Sequence, residues 1–294
     1  MSMPRKKTLP PDILRVLVEY IPSNSDLISL GLACGRATIH SLQAVWKCPR
    51  PNSLGAVEKL THIVQLSSES KTCNKGSQHL PYYYAWITGY DFSALDQESA
   101  AQVKTADLSI LFTAPSLPFD TLNTSQLLAL PPALVERHIS SLKELNMSSC
   151  TQYCSAALIQ ILTRSSISSI LTKLDLSNCS VNDAVIIQIS RTHTRLRRLN
   201  LQHSGNISDS AILALADHCL DLEELIISLP HGIVQSNKIT DKSLTILAQS
   251  CSRMKVVVCR GQTRISELTT LAFQKSCPLL QTYDFSTEQK SNIY

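Results

Sequence analysis

Ten cysteines and eight histidines give this 294-residue chain its greatest chemical reach. Thiolates and imidazoles ligate metals, thiols form bridges, and a thiolate beside a base attacks carbonyls. Spacing decides among these roles. A structural zinc site is usually built from two close pairs of ligands, often C-x-x-C. The chain has no C-x-x-C; Cys150 and Cys154 are close, but no second pair of matching type answers them. A catalytic thiol needs a base held beside it, and the scattered histidines single out no cysteine. There are only eight glycines and no glycine loop that would cradle a phosphate. No Ser/His/Asp set or pair of acids has motif spacing. The expectation is a non-catalytic chain with no cofactor and no metal. The N-terminus lacks the basic-then-apolar pattern of a secretory signal. Free thiols in a reducing compartment, cytoplasmic or nuclear, are therefore expected.

The cysteines find their explanation in a repeat. The stretch "LTKLDLSNC" from Leu171 recurs as "LKELNMSSC" from Leu142 and "LRRLNLQHS" from Leu196. Looser copies begin at Leu222, Met254 and Leu280, so successive starts lie 29, 25, 26, 32 and 26 residues apart. Downstream of four copies stands a helix-capping residue, Asn182, Ser208, Thr240 or Ser266, followed by Asp183, Asp209, Asp241 or Glu267. Such side-chain oxygens satisfy exposed N–H groups at a helix start, and the acid suits the positive end of the helix dipole. Eleven residues after each cap comes His193, Cys219, Cys251 or Cys277, and three residues later the next L-x-x-L-x-L begins. Only the strand-to-helix loop changes length, as a surface loop can.

Earlier copies are fainter. "ITGYDF" aligns Ile87, Tyr90 and Phe92 with Leu280, Tyr283 and Phe285. "APSLPFDTL" places Leu117 and Leu122 in frame but leaves Asp120 in an apolar slot. The helix of the repeat that starts at Leu142 fits from about Ser155. The last motif has no obvious cap after it.

Each strand sends its leucines to one face, and a helix returns with its own stripe, such as Ala211, Leu215 and Cys219. One such unit leaves its apolar face uncovered; stacked units close a continuous core behind a parallel sheet. Cysteine serves here as a small apolar residue at the helix end. The fold class is therefore α/β, a solenoid with a curved parallel sheet inside and helices outside. Aromatics are only 5% of the chain, so aliphatic side chains must build most of its core. A net charge of +4 shows no basic patch for nucleic acid. No apolar run approaches the ~18 residues of a membrane span. Arg5-Lys6-Lys7 reads as a solvated tail.

The C-x-x-L-x-x-L-x-L pattern with its Ser/Thr-Asp cap resembles the cysteine-containing class of leucine-rich repeats. The resemblance covers residues 85–294, best from 142 onward. That class is found in F-box receptor proteins, and residues 9–50 resemble an F-box. The matching residues are Leu9-Pro10, Ile13-Leu14, Leu17, Ile21-Pro22, Asp26-Leu27, Leu30, Cys34 and Trp46. Ala37 departs from the pattern, which has an aromatic there. Three short amphipathic helices in this stretch bury little alone. The alternative is a helical cap over the first repeat, with no adaptor. The organisation is then a basic tail 1–8, the F-box-like element 9–50, a helical linker and polar loop 51–84, and repeats 85–294. In the linker, Leu54, Val57, Leu60 and Ile63 fall on one side of a helix.

The resemblance implies a substrate-recognition subunit of a cullin-based, SCF-type ubiquitin ligase. A Skp-type adaptor, and through it a cullin scaffold, would be held by Leu9, Pro10, Ile13, Leu14, Leu17, Leu27 and Leu30. The protein substrate would lie on the concave face. The second reading is a non-degradative repeat protein that sequesters a signalling partner, similar to the fungal antagonist of mitotic exit. On the concave face the early rungs are polar, but Ile226, Val256 and Val258 are apolar beside the longest loop, Ser228 to Lys238. Exposed apolar patches mark contacts. The expected target-binding residues are Ile226, Val256 and Val258, rimmed by Glu224 and Arg260; the alternative is that the loop folds over this patch through Ile233 or Val234 and hides it.

Overall fold

The computed structural model describes residues 38–69, 86–113, 118–128, 130–153, 155–163, 170–204, 207–229 and 238–286. The adaptor residues expected from Leu9 to Leu30 lie outside these, as do residues 230–237 of the longest loop.

Among the described residues eight strands form one sheet: β1 (Gly89–Asp91), β2 (Thr121–Asn123), β3 (Glu144–Asn146), β4 (Lys173–Asp175), β5 (Arg198–Gln202), β6 (Glu224–Ser228), β7 (Val256–Arg260) and β8 (Thr282–Asp284). Their order in space is their order in sequence, and every pair is parallel. The register aligns Tyr90, Leu122, Leu145, Leu174, Leu199, Leu225, Val257 and Tyr283 in one row. From Tyr90 to Val257 that row is buried. The protein is a leucine-rich-repeat solenoid, with helices returning behind the sheet between successive strands.

After most strands one residue takes a left-handed backbone: Gln126, Ser149, Asn178 and His203, with φ between 56 and 66°, and Gly261 at 81°. Each turns the chain out of the sheet at the same step of its unit. The helices at Asp183–Thr192, Asp209–His218, Asp241–Ser250 and Glu267–Ser276 start one residue after the expected caps. Asn182, Ser208 and Ser266 accept N–H bonds from their own helices. The helix at Ser155–Thr163 also starts where the sequence places it.

Two readings need correction. In the second unit the frame is Phe119, Leu122 and Thr124, because Leu122 pairs with Leu145 and not with Met147. Asp120 therefore occupies no apolar slot; it pairs with Lys143 at 3.2 Å. Thr124 fills the third slot fully buried, its hydroxyl donating to the carbonyl of Asn146 at 3.2 Å. In the helix Leu54–Glu69 the buried side is Val57, Leu60, Thr61 and Val64, while Ile63 is 38% exposed.

That helix contributes to the same core as the repeats. The residues preceding it tie down the first strand: Thr88 N–H donates to the carbonyl of Lys47 at 2.9 Å, and Asp91 N–H to that of Pro49 at 3.1 Å. Lys47 ends the helix Thr38–Lys47. The end of the helical element is thus bonded to the outer edge of β1.

Candidate functional site: the inner face of the sheet

Side chains that alternate away from the core form two rows along the inner face. The first reads Gly89, Thr121, Glu144, Lys173, Arg198, Glu224, Val256, Thr282. The second reads Asp91, Asn123, Asn146, Asp175, Asn200, Ile226, Val258, Asp284. Six of the eight residues in the second row are Asp or Asn, and each performs the same task. Its side-chain oxygen accepts the backbone N–H two residues on, at 2.8–3.1 Å. This Asx turn closes the strand and starts the turn out of the sheet. Ile226 and Val258 have no such oxygen, and they lie side by side in register. At these two rungs the fold forgoes its usual closure.

Ile226, Val256 and Val258 are partly exposed, so the structure brings the three expected apolar residues together on β6 and β7. The two expected rim charges already have partners. Glu224 pairs with Arg198 at 3.2 Å, and Arg260 with Asp284 at 2.7 Å. Burial raises the pKa of Asp284, but hydrogen bonds from Ser286 and the Arg260 guanidinium outweigh it and leave the group below the usual carboxylate value.

Beside the patch a groove of about 500 Å³ runs along the face from Cys48 and Tyr90 to Ile226. Its floor is the polar rungs of β1 to β5. Lys173 pairs with Glu144, and Asn200 donates to Asp175 at 2.9 Å. Arg50 pairs with Asp91 at 3.3 Å, and Thr121 donates to the sulfur of Cys48 at 3.8 Å. Sequence reasoning missed Cys48 and Arg50, because residues 47–51 belong to no repeat and only their hydrogen bonds to β1 bring them to the groove. Gly89 is fixed by close approach: a Cβ there would lie 2.0 Å from the carbonyl oxygen of Thr121.

Five of the seven described cysteines occupy two ladders. At the helix ends, Cys251 donates to the carbonyl of Cys219 at 3.4 Å and Cys277 to that of Ala248 at 3.5 Å. His193 fills the same slot through an Nε2 bond of 2.7 Å to Leu162. Beyond the strands, Cys179 donates to Met147 at 3.0 Å, Cys150 to Thr124 at 3.3 Å, and Ser204 to Leu176 at 3.3 Å. Burial pushes Cys150, Cys219, Cys251 and Cys259 up to about 12 and Cys179 up to about 11. At neutral pH these are protonated thiols, which are poor nucleophiles. Among the described residues no group of three His, Cys, Asp or Glu is placed to hold a metal ion. No described helix is long and apolar enough to cross a membrane.

No family model matches the chain, and no curated protein does. Among solved structures, the chain is similar to one in the crystal structure of the Rad7 and Elc1 complex in yeast. The identity is 15%, with 94% of this chain and 82% of that one covered, at a TM-score of 0.49. The leucine-rich repeat-containing protein LegL7 from Legionella pneumophila is 14% identical, with 75% of this chain and 87% of that one covered, at a TM-score of 0.30.

Proposed function

We propose that the chain is the substrate-recognition subunit of a cullin-based ubiquitin ligase. A Skp-type adaptor binds the F-box-like residues Leu9 to Leu30, and the target binds the inner face at Ile226, Val256 and Val258. Catalysis then belongs to the conjugating enzyme, and the receptor works by raising the local concentration of a target lysine. The observation that carries this reading is the join between the two parts. The bonds from β1 to Lys47 and Pro49 fix the end of the helical element against the first rung of the target face. A receptor that must present its target at a set distance needs such a coupling, whereas a protein that only sequesters a partner does not. The proposed setting is the cytoplasm or nucleus, where buried thiols stay reduced.

The test is a pull-down of purified Skp-type adaptor by the full chain and by a variant carrying Leu9→Glu, Ile13→Glu and Leu17→Glu. The full chain should retain the adaptor, and the variant should lose about tenfold or more of it, as expected when buried anchor residues become charged. If the full chain itself fails to retain adaptor, the ligase reading falls and the sequestering one takes its place.

A further inference from the structure

The charges of the inner face point to the kind of target it takes. Among the described residues its cations are Arg50, Lys173, Arg198 and Arg260, and each is held by a carboxylate: Asp91, Glu144, Glu224 and Asp284 in turn. These pairs are partly exposed and add little stability. Their effect is on recognition. Readers of phosphate or acidic motifs present arginines whose charge is free to meet the ligand. Here an incoming phosphate would have to displace a carboxylate and then sit beside it, at a cost in like-charge repulsion. The paired face also generates little field beyond its own surface, so it has little means of steering a charged ligand.

What the face does offer is the break in the Asx row. Five rungs before it and one rung after Val258 close their strands with a side-chain oxygen, from Asp91 through Asp284. Ile226 and Val258 give up that bond and, with Val256, leave aliphatic surface exposed between two ion pairs. A local rule broken without a gain in folding marks a functional position.

We infer that the target segment is neutral and unphosphorylated, and that it is recognised through aliphatic or aromatic side chains seated on Ile226, Val256 and Val258. This rests on the proposed role of the inner face in binding targets. It adds that phosphorylation is not the signal, and that binding depends only weakly on salt.

The probe is a displayed library of random peptides of about twelve residues, alongside a matched library with one fixed phosphoserine, both selected on the full chain. Unphosphorylated peptides rich in Leu, Ile, Val, Met or Phe should be enriched. Their affinity should change less than about twofold between low and high salt, since screening acts on charges. The variant Ile226→Asn with Val258→Asn installs the residue type of the neighbouring rungs, so it supplies the closing oxygens these two rungs lack while removing most of the apolar surface. It should fold with an unchanged thermal midpoint and bind the selected peptides about tenfold more weakly, the scale of losing buried apolar contacts. Lys173→Ala, on a polar rung away from the apolar patch, should leave binding within about twofold, as exposed charges add little affinity. Enrichment of phosphopeptides, a steep salt dependence, undiminished binding by the folded double variant, or no enrichment would each overturn the inference. Adaptor pull-down with the same variant separates the two questions. Retained adaptor with failed peptide selection rejects only the target chemistry, and lost adaptor in the wild type rejects the ligase reading.

Discussion

At the scale of single residues the structure gives the thiols a definite task. The spacing of cap, cysteine and leucine shows that cysteine is packing material, and the described cysteines of the repeats are buried. The spacing does not show that the sulfurs donate to carbonyls of the preceding unit, because a one-dimensional pattern gives positions and not partners. His193 makes the point: it looks like an exception in a cysteine slot, yet it meets the same need with a longer arm to Leu162. The buried thiols also set a pH limit. Their folded pKa values are raised, so their contribution is fully present below the unfolded thiol value of about 8.5 and is lost as pH rises through the folded values. Burial also raises the phenols of Tyr90 and Tyr153, which act in the same direction at still higher pH. The midpoint of urea unfolding should therefore fall steadily from pH 8 towards the folded thiol values of about 11 to about 12, with little change between pH 7 and 8.

At the scale of the element, the acid that opens each helix does more than complement a dipole. Asp183 accepts from the N–H and hydroxyl of Ser208, the cap of the next helix. Asp209 accepts from the N–H and hydroxyl of Thr240, both at 2.8 Å, and from Ser243. Asp241 repeats the pattern with Ser266 and Thr269. Burial raises the pKa of Asp241, but these bonds outweigh it and hold the group below its ordinary value. The Ser/Thr-Asp pair is thus one half of a clasp between units, legible as a cap in the sequence but not as a clasp. Asp209→Ala removes three acceptor contacts and strands the Thr240 N–H and hydroxyl, while Ser243 keeps its bond to the Thr240 carbonyl at 3.2 Å. A loss of about 3 kcal/mol is expected, from hydrogen bonds to a charged group, read as a lowered urea midpoint. The second unit was the hardest element to read for a related reason. Phe119 and Thr124 fill slots where a search for leucine finds nothing, and Leu117 offers a false frame two residues away.

At the scale of the whole molecule, the scarcity of aromatics has a plan. All five phenylalanines stand at the ends of the stack. Phe92, Phe112 and Phe119 gather round Tyr90 in the first units, with centroids 5.4–5.9 Å from it, and His138 stacks on Phe119 at 3.9 Å. Phe273 and Phe285 lie 5.8 Å apart in the last, with Tyr283 stacked on Phe285. The outer side of the final unit is only partly polar: Leu268, Leu271 and Leu279 are exposed there, and so is Tyr283. Thr270 and Gln274 stand where the preceding helix buries Leu244 and Ala248, and Gln274 donates to the Tyr283 hydroxyl at 3.3 Å. A stack of this kind has nearly independent ends. Phe273→Ala should cost about 3–5 kcal/mol by leaving a cavity. The loss should appear as faster hydrogen exchange in Glu267–Ser276 and β8, while amides of β4 and β5 keep their protection.

The aromatic ends have a consequence for how such a chain can change over time. Because both aromatic clusters are made by residues outside the middle units, tandem duplication of a central unit would insert a ready-made rung between partners of the same kind. The lengthened sheet would keep both clusters and gain reach, so a new quarry could be accommodated without redesigning either extremity.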